Sequence, residues 1–253
     1  MNILFTICGR AGSKGLKNKN LKLFHGYPLI MYTLSAIDLF KKTFKDTHLI
    51  DIALNTDSKE LQNLVKDYPQ ILIVDRKETL ASDVASKISV IKDTYIQSEK
   101  ITGEKYDYII DLDLTSPMRT VEDIQKLIKQ KIEYPNYDVV FSVVNSRRNP
   151  FFNMVQKNDQ YVTLVNNSNF TARQQTPKIY DMNASMYLYD ALFLTNESRI
   201  FDGNCGVIVM NDYLILDIDS EEDFEWMSHL YPKILEENQG IKDIFRNITL
   251  LTV

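Results

Sequence analysis

The chain has 253 residues, 44% hydrophobic and 25% charged, with a formal net charge of −5. That length supports one large α/β domain or one domain with an extension, and the negative balance argues against a broad nucleic-acid footprint. No apolar run approaches the roughly 18 residues needed to span a bilayer, Met1 leads into an apolar run with no signal-type leader, and Cys8 and Cys205 share no metal-ligand spacing, so a soluble protein of the reducing cytoplasm is expected, with Cys8 a buried free thiol.

Strand-like and helix-like patterns alternate from the start. Ile3 to Cys8 (ILFTIC) reads as a buried strand. The loop Gly9 to Asn20 (GRAGSKGLKNKN) follows. Its three glycines let the backbone turn and present N–H groups, and Arg10, Lys14 and Lys19 add positive charge. Donors with clustered cations suit a polyphosphate. The spacing is neither a P-loop, because Lys14 precedes Gly15, nor a dinucleotide fingerprint, because the glycines stand at 9, 12 and 15.

Pro28 to Ile37 carries apolar residues at helical spacing. Leu49 to Leu54 reads as a strand, and Ser58 or Asp57 can cap a helix from Lys59 to Lys66. A short strand at Ile71 to Val74 precedes a helix at Val84 to Ile96, with Val84, Ile88, Ile91 and Tyr95 on one face. A strand at Tyr108 to Leu114, a helix at Val121 to Ile132 and a buried strand at Val139 to Val144 continue the series. Residues 145 to about 182 break the rhythm, with one short strand at Tyr161 to Val165. Strands at Ala184 to Tyr189, Val207 to Met210 and Tyr213 to Ile218, a helix at Asp223 to Leu235 and a last edge strand at Ile248 to Val253 complete the reading. The alternation predicts an α/β fold with a doubly wound, mostly parallel sheet of the Rossmann-like kind. Ligands then sit at the carboxyl ends of strands, where the first loop lies.

Asp217-Ile218-Asp219 ends a predicted strand, so both carboxylates share one face. Such a pair suits Mg²⁺, which takes one or two carboxylates with waters and substrate phosphates. The run Asp219 to Asp223 also reads as a plain helix N-terminus. Likewise, Arg76 to Ser86 reads as a loop ending in a cap, Ser82 or Asp83. Asp111 and Asp113 share a face at the fourth strand's end. His25, His48 and His229 are scattered, and no nucleophile arrangement stands out.

GRAGSKGLKNKN resembles the R-x-G-S-K-G-x-x-x-K-N signature of the cytidylyltransferases that make CMP-activated nonulosonic acids. That family includes CMP-sialic, CMP-legionaminic and CMP-pseudaminic acid synthetases. The resemblance implies that Arg10, Ser13, Lys14, Lys19 and Asn20 wrap the CTP triphosphate. Arg76 to Ser86 (RKETLASDVAS) resembles R-x-x-x-L-A-x-D-x-A-S, which cradles cytosine and ribose. Arg76 and the backbone of Ala85 and Ser86 are the matched contacts, while Lys87 stands where a small hydroxyl residue is common. Asp111 to Arg119 (DLDLTSPMR) resembles L-Q-P-T-S-P-L-R, with Asp113 in place of Gln, a substitution more like the legionaminic branch. Asp113 is expected near the metal or accepting hydrogen bonds from sugar substituents.

Arg173 to Tyr187 resembles R-Q-x-x-P-x-x-Y-x-x-N-G-x-x-Y, with Ala184 in place of Gly. It implies a sugar site of Arg173, Gln174, Asn183 and Tyr187, in which Arg173 grips a carboxylate bidentately. Arg147 and Arg148 offer a further carboxylate contact. The family's metal pair is an L-D-I-D, so Asp217 and Asp219 inherit Mg²⁺, with Mn²⁺ as a substitute. The resemblance implies that residues 145 to about 182 form an arm that exchanges across a homodimer. The implied reaction joins CTP and a nine-carbon 2-keto-3-deoxy acid into a CMP-sugar and pyrophosphate, with Arg10, Lys14, Lys19 and Asp217 as its catalytic set. Neither nucleic acid nor membrane is an expected partner. The alternatives are a CMP-Kdo synthetase, a polyol phosphate cytidylyltransferase, or a catalytically silent nucleotide-binding regulator on the same fold.

Overall fold

The computed structural model describes residues 1–12, 15–44, 48–68, 71–82, 85–196 and 199–251. Among these, the strands are β1 Asn2–Cys8, β2 Leu23–Phe24, β3 Tyr27–Pro28, β4 Leu49–Thr56, β5 Ile71–Asp75, β6 Tyr108–Leu112, β7 Val139–Asn145, β8 Val155–Asn158, β9 Tyr161–Leu164, β10 Tyr180–Asp190 and β11 Cys205–Val209. The helices are α1 Leu29–Phe44, α2 Lys59–Val65, α3 Lys87–Thr102, α4 Val121–Glu133, α5 Ala191–Asn196, α6 Glu221–Glu237 and α7 Gln239–Leu251.

The main sheet runs β11-β7-β10-β6-β1-β4-β5, and only β10 lies antiparallel to its neighbours. The expected mostly parallel sheet is therefore observed. Its two faces are sorted by side-chain alternation. Ile3, Phe5 and Ile7 of β1 join α1, α4, α6 and α7 in one core. Leu4 joins Ile88, Ile91 and Tyr95 of α3 in the other. From β1 the chain steps outward to β4 and β5, then returns to lay β6 on the other side of β1. Strand order reverses between β1 and β6, and an open α/β sheet leaves a crevice at such a point.

Several expected elements differ in place or kind. α3 begins at Lys87, with Ser86 accepting the Ser89 N–H (3.3 Å) as its cap. The expected helix start at Val84 and cap at Asp83 lie outside the described residues. Tyr213 to Ile218 is not a strand. It forms a single helical turn at Asp212–Ile215 and then an irregular run. Its backbone is tied elsewhere: Asn183 Nδ2 donates to the Leu214 carbonyl (3.1 Å), and the Ile218 N–H donates to the Thr115 carbonyl (3.0 Å). The expected edge strand at Ile248 to Val253 is replaced by α7 through Leu251. Ile241, Ile244 and Ile248 recur at helical spacing and are buried in the α1 core. Between β7 and β10 the chain leaves the sheet and forms the β8–β9 hairpin, on which Tyr161 is 74% and Val162 61% exposed.

Ala184 has φ +52°, and the β10–β7 register shifts between Met182 and Tyr187. A side chain in the left-handed region costs about 1–2 kcal/mol. Ala184→Gly should therefore stabilise the protein by about 0.5–1 kcal/mol, after the extra entropy of an unfolded glycine is subtracted. Urea denaturation measures it, and a lowered midpoint would show that no strain is stored at this bulge.

Candidate active site

A cleft of about 460 Å³ opens at the carboxyl ends of the strands around the β1–β6 reversal. Arg10, Lys19 and Asn20 of the glycine loop line it. Ser13 and Lys14 lie outside the described residues. The loop is anchored by its own backbone: Gly9 N–H donates to the Asn55 carbonyl (3.1 Å), Ala11 N–H to Asp57 Oδ1 (2.7 Å), and Asn20 Nδ2 to the Arg10 carbonyl (2.9 Å). Gly12 uses the left-handed region, at φ +68°. Gly9 and Gly15 serve close approach instead. A β-carbon at position 9 would lie 2.6 Å from the Leu61 side chain, and one at position 15 would lie 2.2 Å from the Asp219 carbonyl oxygen. Lys19 Nζ meets Asp219 Oδ1 at 2.6 Å. The phosphate-type loop and the acid pair are thus pressed together.

Arg76, just past β5, forms a second wall. Its Nε donates to Asn55 Oδ1 (2.7 Å) and its Nη2 to the Asn55 carbonyl (3.2 Å). Burial lowers this guanidinium's pKa from its ordinary value. Asn55 went unread in the sequence, because nothing local distinguishes an Asn at a strand end from a turn residue. Ala85 lines the cleft, whereas Ser86 spends its hydroxyl capping α3. Cys8 is half-buried and lines the cleft, rather than being fully interior, and burial pushes its thiol far up.

The acid wall is the densest part. Lys87 Nζ lies 2.9 Å from Asp111 Oδ2 and bonds Asp113. Asp113 Oδ1 accepts from the Thr115 N–H (2.9 Å) and hydroxyl (2.7 Å). Both Asp113 oxygens thus accept bonds within the protein, while the side chain also lines the cleft. Burial alone would raise the Asp113 carboxyl, but Lys87 and Thr115 outweigh it and hold the group well below the usual range. Burial likewise opposes the charge on Lys87, yet Asp111 and Asp113 raise its ammonium well above its ordinary value. Arg119 is buried and holds the turn by donating to the Asp113 carbonyl and Thr33 Oγ1.

Asp217 and Asp219 both line the cleft, flanking the buried Ile218. The shared orientation was expected from a strand. It arises instead from an irregular run pinned at Ile218. Burial, then the charges of Asp219 and Asp113, raise the Asp217 carboxyl. Among the described residues no group of three or more His, Cys, Asp or Glu is arranged to hold a metal.

The expected sugar-side residues do not converge. Arg173 and Gln174 are exposed and do not line the cleft, and Arg173 Nη2 donates to the Ser146 carbonyl (3.0 Å). Arg147 and Arg148 also lie off it. Asn183 is 1% exposed and has its amide committed internally, accepting from Ser142 Oγ (2.7 Å) and donating to Leu214. The expectation that it reads sugar groups is thereby corrected. Tyr187 is buried beneath Lys87, whose Nζ lies 5.6 Å from the ring centre, so its ring is not an open wall. None of the three histidines lines the cleft.

A family model described as cytidylyltransferase matches residues 4–244. A relative named post-translational flagellin modification protein B, from Campylobacter coli, is 37% identical over 241 residues, covering 95% of this chain and 98% of its own. One named CMP-N,N'-diacetyllegionaminic acid synthase, from Campylobacter jejuni, is 36% identical over 228 residues, covering 90% and 94%. Among solved structures, a CMP:2-keto-3-deoxy-manno-octonic acid synthetase complexed with CTP superposes with a TM-score of 0.63 over 92% of this chain and 99% of its own, at 15% identity. The fold is shared with that protein, and by the match over nearly its whole length this chain belongs to the cytidylyltransferase family.

Proposed function

We propose that the chain transfers the cytidylyl group of CTP to a nine-carbon 2-keto-3-deoxy sugar acid, releasing pyrophosphate. One observation carries this reading: a glycine loop bearing Arg10 and Lys19 is packed directly on the Asp217–Asp219 segment at the sheet's reversal point. Polyphosphate-binding cations and cation-binding carboxylates then share one cleft. The relative named for CMP-N,N'-diacetyllegionaminic acid supports a legionaminic-type acceptor.

The acceptor's anomeric hydroxyl attacks the α-phosphorus as the bond to pyrophosphate breaks in line. Catalysis of this kind is mostly positioning and charge stabilisation. Arg10, Lys14 and Lys19 hold the departing pyrophosphate, and Asn20 braces the loop through the Arg10 carbonyl. Arg76, fixed by Asn55, borders the nucleoside with Ala85. Asp217 and Asp219 would hold Mg²⁺ or Mn²⁺. Two carboxylates facing one cleft, one of them with its proton affinity raised by burial and by its neighbours, suit a hard cation that completes its shell with water and phosphate oxygens. Such an ion would screen the phosphate charge.

A homodimer in which residues 145–182 close the partner's cleft is part of the proposal. It is supported by Arg173 and Gln174 lying exposed off their own cleft, beside a hairpin that presents Tyr161 and Val162 to solvent.

With CTP and Mg²⁺, pyrophosphate release is expected with a legionaminic-type acid and not with the eight-carbon Kdo. Silence with every nine-carbon acid, from protein that still binds CTP, would sink the acceptor reading. Lys19→Ala should lower turnover about 100- to 1,000-fold, while its thermal midpoint moves little because the lost ion pair faces a 70% exposed Asp219. Wild-type turnover in that variant would remove the loop from the chemistry. Mixing inactive Arg173→Ala with inactive Asp217→Asn should restore about a quarter of wild-type activity if arms exchange across a two-fold dimer. No recovery in the mixture would mean that no arm is exchanged.

A further inference from the structure

Lys87 and Asp113 both line the cleft. They are bonded to each other. Lys87 is the first residue of α3, where a cation opposes the helix dipole. Its side chain is 38% exposed and reaches a fully buried Asp111 as well as Asp113.

The bonds continue past the pair. Asp113 Oδ1 fixes Thr115 by both its N–H and its hydroxyl. The Thr115 carbonyl accepts from the N–H of Ile218, the buried residue between Asp217 and Asp219. An unbroken chain of polar contacts thus runs from the helix that closes the nucleotide wall to the acid pair. We infer that Lys87 is a positioning residue that acts through Asp113 and Thr115 to set the place of Asp217 and Asp219 against the bound nucleotide. This rests on the cytidylyl-transfer reading above. Asp113 Oδ1 takes both Thr115 bonds and Oδ2 takes Lys87, so its link to the acid pair runs through Thr115. Removing Lys87 leaves both Asp111 and Asp113 without their cation, removing Asp113 cuts the link to Thr115, and removing both breaks the same chain once while Asp111 is still unanswered.

The test compares Lys87→Ser, Asp113→Gln, the double variant and Lys87→Arg. Affinity for CTP with Mg²⁺ is read by calorimetry, turnover by pyrophosphate release, and folding by thermal midpoint. Each neutralising single variant should weaken CTP at least about ten-fold. Lys87→Arg should stay within about three-fold of wild type, and the double variant should lose no more than about three-fold beyond Lys87→Ser alone, a non-additive loss, because both changes break one chain of contacts. Additive losses in the double variant overturn the inference, as does a Lys87→Ser variant that keeps wild-type CTP affinity. If Lys87→Ser does not fold, Asp113→Gln and Lys87→Arg decide alone: a loss of about ten-fold in the first with near-wild-type affinity in the second supports the relay, and any other pattern overturns it. A wild type that shows this CTP pattern but activates no sugar acid fails only the acceptor reading. Additive losses in an active wild type fail only the relay.

Discussion

The carbonyl oxygen of Asp219 occupies the space a β-carbon at position 15 would need. That contact, with the Lys19–Asp219 ion pair beside it, joins the first loop of the chain to a segment 200 residues later. Everything proposed for the cleft depends on it. Phosphate-binding groups and acidic groups are useful together only if they approach within a few ångströms, and only a glycine permits the backbones to come so close. The same segment is held from below by Thr115 on Ile218 and from behind by Asn183 on Leu214. An irregular stretch with no sheet ladder is fixed by two distant partners, each satisfying a backbone group that would otherwise be orphaned.

The cleft's electrostatics follow from this crowding. The protein is acidic overall, yet Arg10, Lys19, Arg76 and Lys87 converge on one opening. Carboxylates and ammonium groups interleave there, so that Lys19 answers Asp219 and Lys87 answers Asp111 and Asp113. Asp217 is the exception: burial and its acidic neighbours raise its carboxyl. The two engaged lysines also separate roles within one wall. Asp113 is locked into structure, and Asp217 remains the acid under strain.

Side chains singled out for the sugar divide in the same way between structure and solvent. Asn183 and Tyr187 lie inside β10, whose left-handed Ala184 bends the strand and turns the Asn183 amide inward toward Ser142. Arg173 and Gln174 lie outward, on the excursion between β7 and β10. Arg173 and Gln174 thus lie off the cleft of their own chain, which is why a second copy enters the proposal.

The sequence by itself determined the alternating α/β plan, most strand positions, the phosphate-type loop and the acid pair, because each is written in local period, composition or a short contiguous motif. Ile3 to Cys8, Leu49 to Leu54 and Val139 to Val144 needed only their apolar runs to be recognised as strands. Tyr213 to Ile218 was read wrongly as a strand because its apolar residues match one. What settles it as irregular is Asn183 and Thr115, distant residues that claim its backbone. The helix at Gln239–Leu251 was missed because its last residues were read without Ile241 and Ile244, whose spacing carries the helical face. Only the tertiary structure decided that Asn55 clamps Arg76, that Lys87 pairs with Asp113, and that Asn183 is interior. Each is a contact between side chains far apart in the chain, and such contacts leave no period for a single sequence to display.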